Sequence, residues 1–495
     1  MSKIIIQNGN MCELDLPLKF AQKLYNEFAI RHPNAFYLRT RQRGMQNWDG
    51  KIHYITKTGQ FKIGLLPKVY DMCIEMGIKP KVVDMRQPLP KVSKVVTNIG
   101  KYKLRPEQEK AVKAVINNKI GNTPFHIGVL DYTVNAGKTL IMSSLYLTYK
   151  KQLKTLLITN DSDWLNQARE EFKQYLPGED ITFVQGKVLN WSNFTIGMVQ
   201  SISRNMRFYQ KELSQIDMVL VDEADQGGSK QYQNVITRLF NTRIRIGLSG
   251  TIYMSKLAKD KVKNMNLECF FGKVIAEFKL KDSIKKGYST KTIVKMVPGK
   301  PWYGNWESDC ISYKEIYDDS ITENNTAWTM AYNRLRWNIN QGRYPALVVC
   351  KHIAHCENLY KFFKKKLGDA YNIAYVHVNT PSKLRQQIMR DFREGKIDIL
   401  VSTTIIARGK NFPKLRYLLN AASMDSQEKS IQFLGRLVRT DESKNKVYLD
   451  DLHYPGNYLD RHGKHRKQYY QRQELKVILL DKLWKKHPNH SLIKS

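Results

Sequence analysis

The stretch Val129–Leu140, VLDYTVNAGKTL, leaves this chain the fewest options for its fold. An apolar run breaks into small polar residues, ends in Gly137-Lys138-Thr139 and passes directly into a second apolar pattern at helical spacing. The sequence predicts a strand, a tight loop and a helix start. Backbone N–H groups of such a loop, at Asn135, Ala136 and Gly137, together with the partnerless amides of the helix N-terminus, form a cradle for phosphate oxygens. Lys138 adds a point charge on the phosphates, and the Thr139 hydroxyl is a ligand for Mg²⁺. The pattern GxxxxGK[ST] is incomplete, because Tyr132 stands at the first glycine and Asn135-Ala136 replaces the usual small pair. Taken alone, GKT also fits an ordinary strand-turn-helix with an exposed lysine.

Partners for it follow in order. Residues 218–225, MVLVDEAD, read as an apolar strand that delivers two adjacent carboxylates. Asp222 suits the metal and Glu223 the orientation of an attacking water; an acidic turn after a buried strand is the competing reading. Arg243–Thr251, RIRIGLSGT, is a strand ending in Ser249 and Thr251, placed to sense a γ-phosphate or to couple two lobes. In Gln432–Arg439, QFLGRLVR, Arg436 and Arg439 stand three apart, which on a helix puts both on one face. They are candidate arginine fingers for a transferring phosphoryl group, with Gln432 as a coupling residue. A solvated or nucleic-acid-facing helix is the alternative for that pair.

With these four stretches in hand, the chain resembles the superfamily 2 helicases, nucleic-acid-dependent ATPases with two RecA-like lobes. TVNAGKT looks like motif I, VDEAD like motif II, LSGT like motif III and QFLGRLVR like motif VI. The resemblance implies ATP and Mg²⁺ as cofactors and a site closed by both lobes. It also implies that Gln108, in Leu104-Arg105-Pro106-Glu107-Gln108, reads the adenine edge; an exposed helix glutamine is the alternative.

At 495 residues the chain is too long for one core and suits about three domains. No apolar run approaches the ~18 residues that span a membrane, and the start lacks a signal-peptide pattern. Six scattered cysteines without CxxC pairs suit a reducing cytoplasm. The run Cys350-Lys-His352-Ile-Ala-His355-Cys356 has metal-ligand residue types, but a buried strand followed by a helix splays those side chains, so no metal beyond Mg²⁺ is expected. A net charge of +36, from 81 Lys and Arg against 45 Asp and Glu, points to a polyanionic partner.

Residues 1–98 form a first unit, an α+β accessory domain for DNA binding. Ile4–Ile6 suggests an edge strand, Leu16–Ile30 an amphipathic helix and Phe36–Tyr54 a hairpin. On a strand, Arg39, Arg41 and Arg43 would share one face, which with Lys51 is a candidate phosphate contact. Trp48 stacks a base or fills a small turn core. NWDGKIHYI followed by Gly64-Leu65-Leu66-Pro67 resembles the N-terminal domain of UvsW-type helicases of T-even bacteriophages. Through that resemblance the expected substrates are forks, displacement loops, Holliday junctions and R-loops. RecG- and XPB-type helicases are similar.

Residues 99–252 read as the first lobe, with alternating strands and helices that predict a doubly wound parallel sheet. Ligands then lie beyond the strand C-termini. Thr159-Asn160 and Val199-Gln200-Ser201 resemble motifs Ia and Ib or Ic, which in the family touch the sugar-phosphate backbone; helix capping is the alternative. Residues 253–335 connect the lobes and include an aromatic, locally acidic insertion of no assigned function. In the second lobe, 336–455, Val401–Pro413 looks like motif V, linking Thr403 to the strand and Gly409 to ATP, with Asn411 where many relatives carry Asp. The basic tail 456–495 interleaves Tyr469, Tyr470 and Trp484 with lysines and arginines, and suits either a nucleic-acid contact or a helix packed on lobe two.

The reading is a monomeric ATP-dependent DNA helicase or translocase acting on branched or partly single-stranded DNA, with RNA as a partner only in R-loops and no membrane. Its rivals are a DEAD-box-like RNA helicase, against which LSGT and QFLGRLVR argue, and a non-hydrolysing binding or annealing protein.

Overall fold

Strands such as Ile127–Tyr132 (IGVLDY), Met218–Asp222 (MVLVD) and Ala346–Cys350 (ALVVC) are buried along their whole length. A strand that is apolar on both faces belongs inside a parallel sheet covered by helices on both sides, and that is where these lie. The computed structural model describes residues 2–480 apart from 42–43, 150–151, 161, 187–190, 253–259, 300–311, 408–411, 426 and 442–443. The chain divides into two units, Met1–Phe278 and Lys279–Ser495.

The first unit holds a seven-stranded parallel sheet. Its order is Ile181–Val184, Phe194–Met198, Thr155–Thr159, Met218–Asp222, Ile244–Ser249, Ile127–Tyr132, Val274–Phe278. Numbered by appearance in the chain, the winding is 3-4-2-5-6-1-7. Parallel neighbours need crossovers, and the helices Lys138–Thr148 and Ser162–Tyr175 supply two of them. The second unit has its own seven-stranded parallel sheet. Its order is Ile373–Val376, Ile399–Thr403, Ala346–Cys350, Tyr417–Asn420, Lys446–His453, Lys291–Pro298, Val477–Leu479, which is again 3-4-2-5-6-1-7. These are the two RecA-like lobes that the strand-helix alternation predicts. The stretch 253–335 contributes a strand to each sheet, Val274–Phe278 to the first and Lys291–Pro298 to the second.

At the N-terminus, Gln60–Lys62, Met11–Asp15, Lys3–Ile6 and Lys81–Asp84 form a four-stranded sheet in that order. Ile4–Ile6 is thus interior to its sheet, not an edge: it pairs with Met11–Asp15 on one side and Lys81–Asp84 on the other. The hairpin expected at 36–54 is absent. Ala35–Arg41 is a helix, and the carbonyl of the preceding Asn34 accepts from Leu38 N at 3.0 Å. Lys51–His53 pairs instead with Ala29–Arg31. Arg39 and Arg41, two apart, therefore point to different sides of a helix instead of one side of a strand. Arg43 lies outside the described residues.

A buried arginine fastens this sheet to the first lobe. Arg245 is wholly buried; its Nη2 donates to Gly9 O at 2.6 Å and Asn10 Oδ1 at 2.8 Å, and its Nη1 donates to Phe270 O at 3.2 Å. Burial without a facing carboxylate pulls its pKa down to about 9. Nearby, a Cβ on Gly64 would stand 2.1 Å from Glu268 O, so only glycine permits this approach of the two backbones.

In the second unit the C-terminal helix Asn457–Arg472 is held by a buried ion pair. Arg466 Nε sits 3.0 Å from both Asp451 oxygens, and Tyr470 OH donates to Asp451 Oδ2 at 2.7 Å. Tyr469 and Tyr470 are buried, so these tail aromatics pack inward on lobe two. Trp484 lies outside the described residues. The His/Cys run is split by the strand end and helix Ile353–Leu367; His355 and Cys356 are buried, and Tyr317 OH lies 3.1 Å from His355 Nδ1.

Candidate active site

Parallel winding brings the C-terminal ends of Ile127–Tyr132, Met218–Asp222 and Ile244–Ser249 to one rim, with Asp131 opposite Ser249 and Asp222 opposite Leu248. The loop after Ile127–Tyr132 turns through two left-handed residues, Asn135 at φ 64° and Gly137 at φ 69°. Asparagine and glycine are the residues that tolerate this region, which explains the departure from the usual small pair. The helix then begins at Lys138, with Thr139 in its first turn.

Gln108 holds this loop. Wholly buried, its side chain accepts from Arg105 N at 2.8 Å and donates to Ala136 O at 2.9 Å. A Cβ on Gly137 would meet Gln108 Nε2 at 2.3 Å. The amide thus faces loop backbone in this structure. Tyr132, which replaces the first glycine of the pattern, is the last residue of its strand; its ring is buried and its hydroxyl donates to Glu107 O at 2.7 Å. Two neighbouring positions of one helix, Glu107 and Gln108, therefore brace both ends of the phosphate loop.

Across the rim, Lys138 Nζ lies 3.9 Å from Asp222 Oδ1. Glu223 follows in a left-handed conformation, φ 53°, which turns the chain sharply after the strand. Ser249 Oγ donates to Asp225 Oδ1 at 2.7 Å and lies 3.1 Å from Thr251 Oγ1. Gly250 packs its Cα against Thr133 at the root of the loop, where an added Cβ would come within 3.0 Å. A lysine beside a carboxylate at the mouth of a glycine-turned helix start is a donor set that fits a magnesium nucleotide. Lys138 and Thr139 would hold the phosphates and the ion, with Asp222 as the second ligand of Mg²⁺.

Two residues here escaped the sequence reading. Asp225 was passed over as the last letter of an acidic turn, although it is the acceptor for Ser249. Tyr232, on the helix Lys230–Ile236, is buried with its hydroxyl lacking a hydrogen-bond partner among the described residues. Burial, then the nearby Glu223 and Asp222 carboxylates, raise its pKa well above the usual phenol value. A short, largely polar helix, KQYQNVI, gave no signal for it.

Further along the same rim, Gln200 Nε2 donates to Asn160 O at 3.1 Å, joining two of the stretches expected to touch a backbone. Thr159 is buried at its strand end, and Ser201 Oγ accepts from Gly186 N at 3.0 Å. In the N-terminal domain, Arg31, Phe36, Arg39, Asp49 and Lys51 line a cleft of about 480 Å³. Phe36 is 79% exposed beside it. Trp48 folds onto its own turn, donating from Nε1 to Lys51 O at 2.9 Å.

In the second unit, Thr403 ends its strand, buried, and Gly409 lies outside the described residues. Lys429 Nζ is 3.2 Å from Thr404 Oγ1. The helix Gln427–Leu437 carries Gln432 and Arg436 but stops before Arg439, so the two arginines do not share a helix face. Thr290 explains the break: its N–H donates to Val438 O at 2.9 Å and its hydroxyl to Arg439 O at 3.1 Å, drawing that segment out of the helix.

Two family models match the chain, the type III restriction enzyme res subunit over residues 101–254 and the helicase conserved C-terminal domain over residues 331–441. ATP-dependent DNA helicase uvsW of Enterobacteria phage T4 is 21% identical over 479 residues, covering 88% of this chain and 90% of that protein. The chain belongs to the superfamily 2 helicases. This superfamily 2 helicase is also 23% identical over 385 residues to helicase 22 of Sulfolobus islandicus filamentous virus, covering 71% of this chain but 64% of that protein, less than two thirds of its length. Its fold is shared with an HsdR subunit fragment of a type I restriction enzyme from Vibrio vulnificus, at TM-score 0.56 and 15% identity, covering 76% of this chain and 68% of that one.

Proposed function

We propose that this helicase is an ATP-dependent DNA helicase or translocase that remodels branched DNA, such as forks, displacement loops, Holliday junctions and R-loops, in recombination, repair and replication of the phage type. The observation that carries the choice of DNA is the likeness to the T4 uvsW DNA helicase over 88% of the chain, well beyond the segments matched by the two family models. The +36 net charge suits a polyanionic substrate.

In this reading Asn135, Ala136 and Gly137 cradle phosphate with their amides, Lys138 holds the β- and γ-phosphates, and Thr139 and Asp222 hold Mg²⁺, which supplies charge neutralisation at the phosphates. Glu223 orients the attacking water. Arg436 and Arg439 stabilise the charge that develops on the transferring phosphoryl group, and Ser249 and Thr251 pass the state of the γ-phosphate on to Asp225. Thr159, Asn160, Gln200, Ser201 and Thr403 meet the strand, while Arg39, Lys51 and the cleft they line meet a duplex arm.

Steady-state ATP hydrolysis by the wild-type protein and Lys138→Ala, without polymer and with single-stranded DNA, forked DNA or RNA of equal length, tests the proposal. Turnover stimulated most by forks and lost in Lys138→Ala supports it. Stimulation by RNA alone moves the substrate to RNA. Tight polymer binding with no hydrolysis sinks the motor altogether.

A further inference from the structure

On the second unit, away from the motifs, three cations surround one indole. The Lys295 Nζ lies 4.7 Å from the Trp337 ring centre, the Arg334 guanidinium carbon 5.0 Å and the Arg343 guanidinium carbon 4.8 Å. Trp337 is 39% exposed. Arg343 also lies flat on Tyr448, 3.6 Å from its ring centre.

One carboxylate faces this group. Asp450 takes the Arg334 fork at 2.6 and 2.9 Å, and Arg343 Nη1 donates to Asn338 Oδ1 at 2.8 Å. Lys295 has no ion pair within 4.0 Å among the described residues, so three positive charges stand against one negative, a local excess of two. Partial burial, and the like charges of Arg334 and Arg343, bias Lys295 against its proton while Asp450 favours it. A surface that gathers three cations around an aromatic ring, with a single carboxylate to offset them, suits an anion that also carries a flat ring.

The sheet extends the patch. Lys291 pairs with Lys446, Ile293 with Tyr448 and Lys295 with Asp450, so alternation puts Lys291, Lys446, Tyr448 and Lys295 on one face. Lys291 and Lys446 are exposed at one end of it. A line of charge beside aromatic surface fits a chain of phosphates with unpaired bases better than it fits a single small anion.

We propose that Trp337, Lys295 and Arg343 form an accessory binding site for single-stranded nucleic acid, with phosphate at Lys295 and Arg343 and a base against the exposed part of Trp337. The site rests on the nucleic-acid reading above. It lies where the helix Asn325–Ile339, which carries Arg334 and Trp337, meets Lys295 of the strand Lys291–Pro298, whereas the stretches assigned to the strand in that reading lie at strand ends.

The test uses the full chain. A single-stranded oligonucleotide carrying 5-iodouracil is photocrosslinked and the adduct mapped by peptide mass spectrometry, and affinity is measured for Trp337→Leu and Lys295→Gln at several salt concentrations. A crosslink within 325–343, a loss of about fivefold or more for Trp337→Leu, the low end for one stacked base, and a salt slope lowered by about 0.7 for Lys295→Gln support the site. Polymer-free ATP hydrolysis and melting temperature stay at wild-type values. Should Trp337→Leu fail to fold, the crosslink and Lys295→Gln decide. Unchanged affinity and salt slope with crosslinks only elsewhere overturn this site and leave the helicase reading standing. A wild-type protein that binds no oligonucleotide, DNA or RNA, overturns both.

Discussion

The Ser249 hydroxyl donates to the Asp225 carboxylate over 2.7 Å, linking the end of one strand to the turn that follows its neighbour. Both groups are buried. Ser249→Ala leaves a buried carboxylate oxygen short of a donor, at a cost of about 1–3 kcal/mol. Nucleic-acid-stimulated kcat is expected to fall about tenfold, equivalent to about 1.4 kcal/mol, with KM for ATP unchanged because the phosphate loop is untouched. Steady-state kinetics separate the two; a rise in KM alone would place Ser249 in binding.

Gln108 is the clamp of the loop, so the severity of its loss depends on which end of the amide is changed. Gln108→Ala removes a donor to Ala136 O and an acceptor for Arg105 N. Gln108→Glu keeps the acceptor and sets a carboxylate oxygen against Ala136 O. Both are expected to weaken ATP binding about tenfold or more, Glu the more severely, since each loosened loop carbonyl costs about 1–3 kcal/mol. Affinity for a fluorescent ATP analogue reads this directly. A variant that binds ATP normally but loses preference for adenine over guanine would instead assign Gln108 to the base.

Arg466 and Asp451 are both fully buried. Arg466→Ala strands the Asp451 carboxylate in the core, and breaking such a pair from one side costs about 3–5 kcal/mol. The helix Asn457–Arg472 is expected to come away from its sheet. Limited proteolysis should then cut within 457–480 in the variant and not in the wild type, and equal protection of both would show that packing alone holds the helix.

His355 ionises at about 3 in the folded chain because burial disfavours its charged form. An unfolded histidine ionises near 6.5. Between those values the unfolded state binds the extra proton, so this contribution is whole above pH 6.5 and is lost as pH falls toward 3, at about 1.4 kcal/mol per unit. His462, at about 4 for the same first reason, adds to the loss. Chemical denaturation of wild type and His355→Met at pH 7 and pH 5 should show the wild type losing about 2 kcal/mol more. Equal losses would mean that His355 is not carried neutral.

The parts of the fold readable in the sequence are those in which one physical signal dominates. Ala346–Cys350 and Met218–Asp222 are unbroken apolar runs and sit where such runs must, inside parallel sheets. Arg39 and Arg41 stand on a helix instead of a strand although FYLRT has the aromatic and β-branched character of a strand, because Lys51–His53 pairs with Ala29–Arg31 and leaves that segment no strand partner among the described residues. Arg439 falls off its helix because of Thr290, distant in the chain, and spacing along a helix carries no trace of such a bond. The turn and helix start at Gly137 to Thr139 were legible, whereas the bond of Asp225 was not: it comes from the Ser249 strand packing beside it, a pairing that the order of residues leaves open.

Both sheets follow the winding 3-4-2-5-6-1-7. A shared winding within one chain is what duplication of a single ancestral module leaves behind, and it gives every element of one half a counterpart in the other. The counterpart of Ile127–Tyr132 is Lys291–Pro298, yet the sequence after it carries no Gly-Lys-Thr run like Gly137-Lys138-Thr139. The halves have therefore diverged into unequal roles, and the second is free to evolve surfaces, such as the one around Trp337, that the first must keep for phosphate chemistry.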